Sequence, residues 1–317
     1  MKINILLIVI LIFTACHETN RKKFITDQKP TPTSLILLGT SQDAGIPQIG
    51  CEKDCCRDAF LNKGKVKKVI SLGLIDGKNN KAFLFEATPD IATQIHHLSS
   101  YNKGNNKLID GIFLTHAHIG HYTGLMFLGK EAVDANNISV YVMPRMKQFL
   151  TENAPWSMLV GRDNISLEAM QADVEVHISN EIKVTPFLVP HRDEFSETVG
   201  YLIMGPNKRA LFIPDIDKWG KWSKNIKEEI KKVDYAFLDA TFYSGSELNN
   251  RDISQIPHPS IVESMEVLQP LDRINRNKVI FIHFNHTNPV IKDDSPETKE
   301  VLKGGYRIGR LGDVFPL

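Results

Sequence analysis

One mixed α/β (α+β) body, not a simple doubly wound parallel sheet, is the fold class this sequence predicts. Apolar runs of strand length recur along the chain, and helical patterns separate only some of them. Other neighbouring runs follow one another without a helix, which favours antiparallel pairing. The 317 residues suffice for a sizeable core, and 42% hydrophobic with 24% charged side chains excludes wholesale disorder. With 38 basic against 37 acidic residues the formal charge is +1, which argues against a protein that coats a polyanion.

Residues 1–15 carry one lysine and then an apolar run that ends at Ala15-Cys16. The run falls short of the roughly 20 residues a transmembrane helix needs and reads as a secretory signal peptide. Phe13-Thr14-Ala15-Cys16 resembles a bacterial lipobox, which implies cleavage before Cys16 and lipid attachment to it. An uncleaved anchor is the other reading. Residues 16–33, with Pro30 and Pro32 among polar side chains, read as a lipidated tether, and the catalytic domain is expected over 34–317. The expected location is a bacterial cell envelope, as a membrane-anchored lipoprotein facing the periplasm or the surface.

Within the body, residues 34–38 form a short apolar strand that enters the loop Gly39-Thr40-Ser41-Gln42-Asp43-Ala44-Gly45. Residues 66–75 and 81–86 are strands parted by the hairpin-type turn Asp76-Gly77-Lys78-Asn79-Asn80. Thr88-Pro89-Asp90 combines a capping residue, a proline and an early acid, so a helix is expected to run to about Ser99. A buried strand at 111–114 ends in a histidine cluster, and 121–130 looks helical. Further strands are expected at 139–143, 181–189, 199–204, 210–213, 235–238 and 279–284. Helices are expected at 144–152, 223–232, 261–268 and 296–303.

The chain has eleven histidines, and Thr115-His116-Ala117-His118-Ile119-Gly120-His121 places three of them just after an apolar strand. A His-x-His pair in a strand-to-helix loop can aim both rings at one ion, and neutral imidazole suits zinc, iron or manganese. His191, Asp215 and His283 recur at the ends of other apolar strands. One such residue alone is ordinary; four strand ends together make a metal-binding constellation.

On these residues the chain resembles the metallo-β-lactamase-fold hydrolases, whose motif is Thr-His-x-His-x-Asp-His. It is most similar to the branch holding the pyrroloquinoline-quinone biosynthesis protein B group and the phosphonate-pathway cyclic phosphodiesterase. Phe281–Pro289 and Phe195–Tyr201 look like the former, and the His116, His118 and His191 set looks like the latter. The resemblance implies a four-layer αββα sandwich with one or two divalent ions in its active site, zinc first, manganese or iron as alternatives. His116, His118 and His191 would hold the first; Asp215 would bridge to a second, completed by His121 and His283. The motif's Asp is Gly120 here, so a second-site carboxylate is lost. Asp43 is the replacement expected from the first loop, against the plainer role of capping its own turn. His258 is the candidate leaving-group acid or phosphate contact, with a helix-start capping role as the alternative, and Asp239 would orient a metal-bound histidine. Arg145, Trp156, Arg192 and Tyr243 could shape a pocket.

Cys51, Cys55 and Cys56 crowd the first loop. Any disulfide among them leaves an odd thiol, and three thiolates need one more ligand for tetrahedral zinc. In the phosphodiesterase branch that ligand is a histidine three residues after the catalytic-metal histidine, which implies His286 and one structural zinc. Redox-reactive thiols are the alternative.

The expected function is metal-dependent hydrolysis of a small phosphodiester or a related ester or lactone, through water activated by the ion. An iron-dependent oxygenase of the biosynthesis-protein-B type and a non-catalytic metal- or ligand-binding lipoprotein are the alternatives. The expected partners are a small-molecule substrate and the membrane, through the lipid anchor. The lysine run at Lys63, Lys65, Lys67 and Lys68 reads as surface decoration, so no nucleic acid is expected. The sequence leaves the oligomeric state open.

Overall fold

The computed structural model describes residues 32–102, 107–248 and 256–317. The signal segment, Cys16 and the tether up to residue 31 lie outside the described residues.

The first sheet is built from β1 (Ser34–Gly39), β2 (Ser71–Asp76), β3 (Lys81–Phe85), β4 (Gly111–Phe113), β5 (Ile138–Val142) and β6 (Ile165–Ala169). The second follows as β7 (Val176–His177), β8 (Lys183–Leu188), β9 (Val199–Met204), β10 (Arg209–Ile213), β11 (Tyr235–Asp239), β12 (Val279–Ile282) and β13 (Arg307–Ile308). The last strand, β14 (Val314–Pro316), returns to the first sheet beside β1, so among the described residues both sheets have seven strands. In each, antiparallel pairing on one side gives way to parallel pairing on the other, the change falling at β3 and at β10.

The strands are apolar on both faces because each sheet is covered on both. Along β1, Leu35 and Leu37 enter the core between the sheets, while Ile36 and Leu38 face the outer helices. Along β12, Ile280 and Ile282 point inward, and Val279 and Phe281 outward. This two-residue alternation lets one short run stabilise two interfaces, each fully buried aliphatic side chain contributing roughly 1.5–3 kcal/mol. Helices α2 (Ile91–Ser99), α4 (Pro144–Glu152) and α5 (Trp156–Gly161) cover the first sheet, and α6 (Ile226–Lys231), α7 (Ile261–Leu268) and α9 (Pro296–Lys303) the second. The expected αββα sandwich is thus the observed fold. Among the described residues, no helix is long and apolar enough to cross a membrane.

Several boundaries differ from the sequence expectation, each for a local reason. The strand expected from residue 66 begins at Ser71, because Lys67 and Val69 make only isolated bridges, to Ile46 and Ser41. The helix expected at Thr88 begins at Ile91: the Asp90 carboxylate accepts the Val69 amide at 2.8 Å instead of capping the helix. The helix expected over 121–130 starts earlier, as α3 (Ile119–Tyr122), and tightens into 3₁₀ turns at Thr123–Leu128. There Ala87 captures both the His121 carbonyl and the Gly124 amide, at 2.8 Å each, drawing this segment onto the end of β3.

Candidate metal centre

The site lies where the strands of both sheets end. After β4, the Thr115 carbonyl accepts the Val199 amide at 3.2 Å and Ser196 Oγ accepts the Ala117 amide at 2.8 Å, so the second sheet fixes the histidine loop. His191 follows β8, Asp215 follows β10, Asp239 ends β11 and His283 follows β12. His283 adopts a left-handed backbone, φ 65°, rare for a non-glycine residue and costing about 1–3 kcal/mol. The Thr40 carbonyl and the Phe284 amide, 2.8 Å apart, then join this strand end to the first loop.

Ligand-capable atoms of His116, His118, His191 and Asp215 all lie within 4.8 Å of one another. His116 Nε2 is 2.9 Å from His118 Nδ1, and Asp215 Oδ2 is 3.4 Å from His116 Nε2 and 3.3 Å from His191 Nε2. Asp43, His121 and His283 form an adjoining group, as do Asp215, Asp239, His258 and His283. Asp215 Oδ2 also stands 3.9 Å from His121 Nε2, so this one carboxylate faces both sides. His121 Nε2, both ring nitrogens of His191, His283 Nε2 and Asp43 Oδ1 are buried without a hydrogen-bond partner. Leaving one such atom unsatisfied costs about 1–3 kcal/mol, and His121 Nε2, His191 Nε2, His283 Nε2 and Asp43 Oδ1, gathered on either side of Asp215, fit divalent cation binding.

The electrostatics agree. Burial alone would discharge His121, yet the Glu86 charge and the Asp43 contact push its pKa up to about 10. Burial likewise opposes charge on His258, and Asp215 and Asp239 outweigh it, again to about 10. Asp215 is buried, yet the facing His258 and His191 hold it well below the usual carboxylate range. Burial keeps His116 and His118 neutral, the state a metal ligand needs. This is an anionic well that gathers positive charge, which protons or a metal can supply.

Two carboxylates that sequence reasoning missed hold the outer sides of these rings. Glu86, fully buried at the end of β3, lies 3.3 Å from His121 Nδ1. It also accepts Thr115 Oγ1 at 2.6 Å, and that hydroxyl is 2.8 Å from His116 Nδ1. Glu194 bonds His118 Nε2 at 3.1 Å, leaving Nδ1 for the cluster. On the opposite side, Thr241 Oγ1 donates to Asp239 Oδ1 at 2.7 Å and sits 2.9 Å from His283 Nδ1. Asp239, expected to orient a histidine, reaches two, at 2.9 Å from His258 Nδ1 and 3.5 Å from His283 Nδ1. Such outer partners fix ring orientation and tautomer.

His258 does not cap α7, whose start is closed by the Ser260–Glu263 capping box. Its Nδ1 points instead at Asp215 Oδ1, 3.1 Å away. Of the suggested pocket residues, Arg145 bonds the Asp193 and Ser196 carbonyls and braces the loop carrying Glu194. Arg192 lies 3.9 Å from Glu194, and Trp156 packs against Tyr122 and Phe149. Tyr243 turns away to Glu300 on α9.

Cys51, Cys55, Cys56 and His286 form a separate four-residue group with ligand atoms within 4.8 Å. All three cysteines are free, Cys55 and Cys56 opening helix α1 (Asp54–Leu61). Burial and the neighbouring Cys56 push the Cys55 thiol up to about 12, and His286 Nδ1 is buried without a partner. Here too the donor set fits a soft divalent ion.

Residues 81–284, more than half the chain, match the family model of the beta-lactamase superfamily domain, and the chain belongs to that family. It is 26% identical over 310 residues to the coenzyme PQQ synthesis protein B of Methylobacillus flagellatus, covering 88% of this chain and 98% of the relative. Its fold is similar to that of Zn(2+)-bound PqqB from Methylobacterium extorquens, with a TM-score of 0.74 at 20% identity over 90% of this chain and 100% of the other. It is also similar to a diphosphatase of the PhnP family, with a TM-score of 0.65 at 20% identity, covering 89% and 96%.

Proposed function

We propose that the protein is a metal-dependent hydrolase acting on a small phosphodiester or a related ester or lactone. The observation that carries this reading is the convergence of His116, His118, His191 and Asp215 on one buried volume, with His121 and His283 facing Asp215 from the other side. Divalent ions held there, zinc first and manganese or iron as alternatives, would polarise the scissile ester and make water nucleophilic near neutral pH. Asp215 turns Oδ2 toward His116, His191 and His121 and can orient the attacking water there. His258 Nδ1 is committed to Asp215 and Asp239, so the proton it offers a leaving oxygen is the one on Nε2. Cys51, Cys55, Cys56 and His286 would hold a structural zinc that staples the first loop to the segment after β12.

Lipid on Cys16 would hold the enzyme at the membrane of a bacterial cell envelope, a reading supported by the signal-like residues before it. A second reading, iron-dependent oxygen chemistry, rests on the resemblance to the biosynthesis-protein-B group and is consistent with the likeness to coenzyme PQQ synthesis protein B along nearly its whole length. The full chain loaded with zinc, manganese or iron separates the two on a panel of phosphodiesters, diphosphates and lactones, with an oxygen electrode alongside. Hydrolysis that disappears in His116→Ala supports the first. Oxygen uptake with iron and no hydrolysis overturns it.

Metal loading is also expected to depend on pH. Unfolded histidines lose their protons near 6.5, whereas His121 in the folded site keeps its proton to about 10. An ion binding at pH 8 must expel that proton, so affinity rises with pH through this range. Calorimetry in two buffers of different ionisation enthalpy should show release of about one proton per loaded site. Buffer-independent heats would show that His121 is not displaced.

A further inference from the structure

We infer that Asp43 and Gly120 are a relocated ligand: the carboxylate missing from the histidine motif is supplied by the first loop, and Gly120 is there to admit it. The inference rests on the metal-hydrolase reading above and names the ligand that completes the second ion. A Cβ built on Gly120 would lie 2.4 Å from Asp43 Cα, 2.7 Å from Asp43 Oδ1 and 3.0 Å from the Asp43 carbonyl oxygen. The nearest of these atoms is main chain, so no rotamer change relieves the clash, and any side chain at 120 excludes the loop. The two positions therefore compete for the same space, and only one can present a carboxylate.

Asp43 is built for that task. Its Oδ1 is buried without a hydrogen-bond partner and lies 3.5 Å from His121 Nε2, with His283 in the same group. It does not cap its own turn: the Gly45 amide bonds the Gln42 carbonyl at 2.8 Å, and Asp43 Oδ2 accepts a long bond, 3.5 Å, from Gln42 Nε2. Its backbone sits at φ 21°, a strained value that Asp tolerates better than most residues. The loop is anchored to the opposite sheet end by the Gln42 amide on the Phe284 carbonyl at 2.9 Å, and by Asn285 Nδ2 on Gln42 Oε1 at 3.0 Å. The residues after His283 therefore set where Asp43 sits.

The test is metal stoichiometry and spin coupling on the full chain, read without turnover. Manganese-loaded wild type should hold two ions at the histidine site and show the exchange-coupled spectrum of a pair. Asp43→Asn, nearly isosteric and uncharged, should keep the first ion and lose the second, its affinity falling by more than the roughly 10–100-fold that loss of an outer partner costs. Asp43→Gly with Gly120→Asp should restore the coupled pair, because it returns the carboxylate to the motif and vacates the loop space. A coupled pair surviving in Asp43→Asn, a wild type that binds a single ion, or a double variant that folds yet stays mononuclear would each overturn the inference. All three leave the hydrolase reading standing if His116-dependent hydrolysis remains. Loss of all metal and hydrolysis in the wild type would sink both.

Discussion

Asp215→Asn is expected to lower kcat by about 10³-fold or more while leaving the fold intact. The carboxylate contacts four imidazoles, at 3.4 Å from His116, 3.3 Å from His191, 3.9 Å from His121 and 3.1 Å from His258. An amide of the same shape keeps the packing but removes the charge that both sides of the site share. Loss of several kcal/mol of charge stabilisation corresponds to roughly three decades in rate, at 1.36 kcal/mol for each tenfold step. His258 reports the same change independently of turnover. With one of its two carboxylates neutral, its pKa should fall from about 10, which histidine NMR can follow in the metal-free protein. A variant with wild-type kcat, or with an unmoved His258, would contradict the role given to Asp215.

The second large effect belongs to the cysteine cluster. Cys56→Ser or His286→Ala should lower the melting temperature by about 10 °C or more, since structural zinc contributes folding free energy directly and about 1 kcal/mol moves a large domain by 2–4 °C. The loss should be local before it is global. Cys56 is fully buried against Ile46 and Ala59, and its sulfur accepts the Gln48 amide at 3.3 Å. The loop from Gln42 to α1 should therefore gain hydrogen exchange first, and the second ion at the histidine site should weaken with it. Chelated protein with an unchanged melt, or three thiols that react freely in the untreated native protein, would point to redox-active cysteines.

What could be read from the sequence was what local pattern encodes. The apolar runs at 199–204, 210–213 and 235–238 became strands within a residue of where they were expected, because each is buried on both faces. His116, His191 and His283 were legible for the same reason, since each comes just after such a run. Glu86 and Glu194 were not, because their roles exist only across the fold: Glu86 meets Thr115 29 residues away, and Glu194 meets His118 76 residues away. Neither has a spacing that distinguishes it from a surface acid. The short β13 and β14 were missed because two or three residues carry no periodicity, and β14 is placed by pairing with β1 at the other end of the chain. Helix α1 was not legible because Asp54–Leu61 buries only two side chains, Cys56 and Ala59, too few to mark an apolar face. Asp43 lies between these cases: the missing motif carboxylate gave a reason to look for it, but only the 2.4 Å approach to Gly120 relates the two positions.

The most direct measurement is metal reconstitution of turnover. Full chain stripped of metal is titrated with zinc or manganese while phosphodiester hydrolysis and bound ion are measured together, beside His116→Ala. Hydrolysis should rise in proportion to ion bound at the histidine site, reach its full value when that site is filled, and be absent from His116→Ala at every loading. Hydrolysis that persists in stripped protein, or that His116→Ala retains, would contradict a metal-dependent hydrolase built on this cluster.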